Sequence, residues 1–194
     1  MRNRRLIIWL LVIAVIVLLG VSLLVSIYNQ LSKVDREVNL RWTELQSELF
    51  KRYVLIPSIT ASVRSYTRAE ETTLMGLEDA YAKFQKAKLV SSKVRAANLA
   101  EADLGKVLLT QEFYPVLKVD RTFVDSLSKL SLTEERANSL REGYNQAAQR
   151  YNRAVKQFPA SLFAPLLGFE SEKPLFEGVT EVKKAPKIKI KTLG

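Results

Sequence analysis

The chain has 194 residues, a net charge of +10, no cysteine and no histidine. Without those two side chains there are no disulfides, no thiolate or imidazole metal ligands and no imidazole general base. Any catalysis would rest on carboxylates, Lys, Ser, Thr or Tyr alone.

The charge is unevenly placed. Residues 1–5 carry three Arg, and residues 182–194 carry Lys183, Lys184, Lys187, Lys189 and Lys191 with no acid. Residues 28–181 hold 22 basic against 20 acidic side chains. A domain that near neutrality argues against nucleic-acid binding, which asks for a basic face on the fold. The Lys-rich end suits anionic lipid or an acidic partner, with a solvated terminus as the competing reading.

In chain order, the basic stub 1–5 precedes residues 6–27, a run of 22 without one charge. At ~1.5 Å per residue such a helix reaches ~33 Å, enough for a hydrocarbon core of ~30 Å. Trp9 and Tyr28 stand near its two ends, where amphipathic rings favour the headgroup level. A cleaved signal would have an apolar region of only ~7–15 residues. Ser22 and Ser26 form no convincing cleavage site, and there is no Cys to acylate. The expectation is a retained transmembrane helix over 6–27.

Apolar residues then continue at helical spacing: Leu31, Val34, Val38, Trp42, Leu45 and Leu49. Steps of three and four mark one buried face, and nothing breaks the helix before Tyr53. The transmembrane helix is expected to run on as the first helix of a domain. Pro57 suits the first position of a new helix, so a turn at Leu55–Ile56 and a second helix over 57–88 are predicted. Ser91 and Ser92 mark a loop, and a third helix over 94–113 ends at Pro115. Asp120 is the expected N-cap of a fourth helix over 121–157, with Pro159 closing it. Its heptad positions run from Phe123 through Leu130, Glu134, Ala137, Arg141, Tyr144, Ala148 and Tyr151 to Val155 and Phe158. The fold class is all-α: a transmembrane helix continuing into an antiparallel up-and-down bundle of about four long helices, with coiled-coil-like seams. The bundle is expected over 28–170 and a flexible Lys-rich tail over 171–194.

On this scaffold sit Tyr28-Asn29, Trp42, Glu48, Lys51-Arg52 and Leu55-Ile56-Pro57. Val63, Tyr66, Glu70 and Tyr114-Pro115 follow, then Thr133-Glu134, Arg141, Tyr144-Asn145, Tyr151-Asn152, Phe158-Pro159 and Gly168-Phe169. In this order and spacing, over residues 28–169, the chain resembles the LemA family of bacterial membrane proteins. It departs from the family pattern at Val54 and Ser58, on either side of the Leu-Ile-Pro turn, and at Val116. The resemblance implies an N-terminal anchor and a helical bundle, with no established catalytic activity.

Glu134 and Arg141 occupy heptad positions that are otherwise apolar. A buried charge costs several kcal/mol unless paired, so Glu134 is expected to pair with Arg52 or Lys51; a slipped register with Leu132 and Leu140 inward is the competing arrangement. Tyr144, Tyr151 and Phe158 form an aromatic ladder expected to be core. Neighbouring carboxylates such as Glu70-Glu71 and Glu101-x-Asp103 do not share a helix face, so no acid–base pair, metal site or cofactor is expected.

The function that follows is a membrane-anchored helical scaffold of a bacterial envelope or internal membrane, with no catalysis. Expected partners are the lipid bilayer and other membrane proteins, with self-association as a further option. The alternatives are a carboxylate-dependent hydrolase working in an inter-helix cleft, and an anionic-lipid-binding or membrane-remodelling protein acting through the basic tail. Three Arg ahead of the span lean the N-terminus toward the cytoplasm.

Overall fold

The structure is a computed structural model, and it describes residues 2–67 and 70–177. The chain is all-α, with no strand among the described residues. In chain order the elements are α1 (Arg2–Tyr53), α2 (Ile56–Tyr66), α3 (Glu71–Lys86) and α4 (Val90–Phe113). A 3₁₀ turn (Pro115–Lys118), α5 (Arg121–Lys156) and the short α6 (Ala160–Phe163) complete the order. The chain divides into two compact units, the first built from residues through Trp42 with Gly143–Lys173, the second from Thr43–Glu142 with the segment from Pro174.

In the first unit, α1 begins with a stretch long and apolar enough to cross a membrane, with a mean hydropathy of 3.2 over its best window. From Trp9 to Val25 its large apolar side chains are uncovered by the rest of the protein, Leu18 being 68% exposed. In water each such Leu, Ile or Val would forgo about 1.5–3 kcal/mol of burial. Beyond Ile27 the pattern changes: Leu31, Val38 and Trp42 are buried against Tyr144, Ala148, Tyr151 and Val155 of α5. Trp42 meets Tyr144 edge-on at 6.0 Å, while Glu37, earlier on α1, pairs with Arg150, later on α5. The two helices are therefore antiparallel here.

In the second unit, α3 and α4 form a hairpin closed by residues 87–89. Phe84 faces Lys93 and Gly76 faces Asp103, so the two helices of the hairpin run in opposite directions. Its core joins Leu74, Leu77 and Phe84 to Val94, Ala97, Leu104 and Val107, with Leu45, Leu49 and Tyr53 of α1 and Phe123 and Leu130 of α5 also buried.

Two expected boundaries are corrected. The helix predicted over 57–88 is two helices, because Thr67 turns to extended geometry and caps α2. Its hydroxyl donates to Tyr114 Oη at 3.0 Å, a tertiary contact that outweighs local helix propensity. The third helix starts at Val90, so Ser91 and Ser92 lie in its first turn. The predicted Asp120 cap is observed, with Phe123 N–H donating to Asp120 Oδ1 at 2.7 Å. The turn falls at 54–55 and α2 begins at Ile56, one residue ahead of the predicted Pro57 start. The α5 register is the heptad one, with Ala137, Arg141 and Tyr144 inward and Leu132 83% exposed. Phe158, expected in the core, lies past the end of α5 and is exposed.

Candidate functional site

Arg52 is in the last turn of α1, on the same face as Leu45 and Leu49, and is only 3% exposed. Its guanidinium forks onto Glu101 of α4, with Nε 3.4 Å from Oε1 and Nη2 3.3 Å from Oε2. Nη1 lies 2.7 Å from Glu134 Oε2 on α5 and also donates to Leu130 O and Thr133 Oγ1. Arg141, seven residues further along α5, approaches the same Glu101 with Nη2 at 2.7 Å and Glu134 with Nη1 at 3.7 Å. Nη1 donates to Asn138 Oδ1 as well, and the guanidinium rests 5.9 Å from the Phe176 ring. Arg141 Nε has no hydrogen-bond partner, and the Nη2 contact with Glu101 is a charge contact without hydrogen-bond alignment.

Two cations and two anions thus neutralise one another inside the second unit. Burial works against the Arg52 charge, but Glu101 and Glu134 outweigh it and hold the guanidinium more firmly protonated than usual. Next to it, Tyr53 donates to Ala97 O at 3.3 Å. Burial, reinforced by Glu101, pushes its phenol well above the ordinary tyrosine range. A second buried acid, Glu48, is held by Lys51 at 3.0 Å and by Arg136 at 3.6 Å.

The structure brings Arg52, Glu134 and Arg141 together, and Lys51 goes to Glu48 instead. The residue that joins them, Glu101, belongs to a pair of neighbouring carboxylates expected to form no acid–base pair. A signal was present: Ala97, Ala100 and Leu104 place Glu101 on the edge of the buried stripe of α4, where a carboxylate needs a cation.

The first unit holds a smaller arrangement. Lys173 is 6% exposed, and its ammonium is 3.1 Å from both Asp35 of α1 and Glu170. It also stands 5.0 Å from the Tyr151 ring centroid. Asn152 receives the Lys173 N–H on Oδ1 at 2.7 Å and donates back to Lys173 O at 2.8 Å. Asn152 thus bonds a segment outside the helices. Gly168, with φ at +82°, makes the bend that leads into this segment. A shallow cleft of about 380 Å³ opens beside it, lined by Tyr28, Asp35, Phe169 and Lys173. Tyr28 packs on Phe169 at 5.7 Å, and Trp9 is 66% exposed at the other end of the apolar run.

The expected start of the tail at 171 falls in a segment that is tied down as far as residue 177. In the second unit Phe176 is buried, and Asn98 donates to Leu175 O at 2.9 Å. Lys183, Lys184, Lys187, Lys189 and Lys191 lie outside the described residues. No group of acids able to hold a metal ion occurs among the described residues. The family-pattern departures Val54, Ser58 and Val116 all stand at the surface.

No curated protein matches the chain. A model of the LemA family matches residues 41–190, which takes in α2, α3, α4, α5 and every member of the Arg52–Glu101–Glu134–Arg141 network. The chain belongs to the LemA family.

Proposed function

We propose that this protein is a membrane-tethered interaction module, acting as a scaffold or adaptor in a bacterial envelope or internal membrane rather than as an enzyme. The carrying observation is where its polar and apolar groups go. Both buried glutamates, Glu48 and Glu101, face cations. Large apolar side chains instead stand on the surface of the second unit: Leu132, Val119, Met75, Phe50 and Val54 are each more than half exposed. A catalytic carboxylate needs a substrate in reach, whereas exposed apolar side chains suit protein contacts. The run 6–27 serves as the anchor, and the three Arg ahead of it favour an N-terminus in the cytoplasm with the helical domain on the opposite side.

A photo-crosslinking side chain at Leu132 or Val119, in native membranes, is expected to give discrete adducts. The same side chain at the exposed polar position Ser131 is expected to give none. Uniform silence at all three positions would contradict the module reading.

A further inference from the structure

The summed charge of the domain hides a local excess. Between Asp79 and Glu101 the chain has no acid, yet it carries Lys83, Lys86, Lys88, Lys93 and Arg95. These residues surround the turn at 87–89 that closes the α3–α4 hairpin. Lys83 is paired with Asp79 at 2.6 Å. Among the described residues, no carboxylate comes within ion-pair distance of Lys86, Lys88, Lys93 or Arg95. Leu89, in the turn itself, is 62% exposed, and Leu99 borders a shallow apolar recess rimmed by Lys86, Ser92 and Arg95.

Folding alone does not account for this arrangement. Lys86 suits the C-terminus of α3, but Lys93 closes the first turn of α4, where the helix dipole disfavours cations, and Arg95 follows in the second turn. The first turn of α4 has no acid and no side-chain cap. An exposed leucine set among uncompensated cations is complementary to a surface that is anionic outside and apolar beneath. Tethering by the chain's own apolar run would present such a surface at high effective concentration.

We propose that the α3–α4 turn is a second membrane contact, binding anionic phospholipid through Lys86, Lys88 and Arg95 and inserting Leu89. It rests on the membrane-tethered reading and names lipid as one partner of the module.

The test uses the full chain with Ser92→Cys, which bears an environment-sensitive fluorophore, in phosphatidylcholine bilayers. Phosphatidylglycerol is supplied either in the same bilayer or in separately added vesicles. Salt-reversible blue shift in at least one arm is expected. K86Q/K88Q/R95Q should weaken the response about a hundredfold, at roughly fivefold per cation. Replacing the five Lys of 183–191 by Gln should leave the shift in place. No shift in either arm, or a shift indifferent to the triple substitution, overturns the proposal. A response to polyglutamate but not to phosphatidylglycerol also overturns it, and assigns the patch to an acidic protein. Co-flotation with phosphatidylcholine vesicles reads the anchor separately: loss of flotation breaks the tether, and flotation without a shift breaks only the lipid contact.

Discussion

Glu101 is shared by two guanidinium groups, and that sharing makes it the most consequential side chain of the second unit. Neutralising it leaves Arg52 and Arg141, both nearly inaccessible to water, with Glu134 as their remaining carboxylate. Glu101→Gln is expected to destabilise the protein by about 3–5 kcal/mol, the usual cost of breaking a buried pair from one side. Glu134 touches the same arginines, but its side chain is 44% exposed. Water therefore screens the loss, and Glu134→Gln should cost about 0–1 kcal/mol. Urea denaturation of the two variants side by side checks the ranking; equal costs would mean that the network does not depend on burial. Three of the four members were legible in the sequence, because Glu134 and Arg141 interrupt an apolar heptad and so demand partners, of which Arg52 is one. Glu101 was marked only faintly, since α4 is rich in small residues and its buried face is weakly marked by size.

At the scale of single elements, caps and prolines carried most of the information. Asp120 reads as an N-cap, and it is one: the Phe123 N–H, ahead of hydrogen bonds from Tyr66 and Ser62, holds its carboxyl below the usual carboxylate range. A depressed folded value means that the contribution to stability is present above the ordinary carboxylate range. It is lost as pH falls through the depressed value. Asp120→Ala should therefore lower thermal stability at neutral pH and flatten its acid limb, as followed by circular dichroism. The break between α2 and α3 carries no Pro or Gly, which is why it was invisible in the sequence. What holds it is tertiary: Arg64 of α2 reaches Glu71 and Glu78 of α3 at 3.2 and 3.1 Å. Arg64→Ala is expected to speed amide exchange in the first turn of α3 while leaving α4 unchanged. Gly168→Ala forces a side chain into a left-handed conformation, at about 1–2 kcal/mol.

For the molecule as a whole, the sequence separates two regimes along one helix. Residues 9–25 of α1 are apolar all round and uncovered, whereas from Leu31 only one stripe is buried. Uniform apolarity is what lipid selects, and a stripe is what a helical partner selects. Period alone therefore separates the uniformly apolar run from the bundle stripe. Net charge, by contrast, misled when summed over the domain: near-neutrality over 28–181 conceals a run of five cations with no acid between Asp79 and Glu101. Only the hairpin, which gathers them around one turn, turns that run into a surface. The central claim is that residues 6–27 cross the bilayer and leave the rest of the chain on one side. The native chain lacks Cys, so Asn3→Cys and Leu132→Cys can each be probed with a membrane-impermeant maleimide in intact cells. Labelling at Leu132→Cys, with Asn3→Cys labelled only after permeabilisation, is the expected result. Equal accessibility of the two positions before permeabilisation would contradict a membrane-crossing α1.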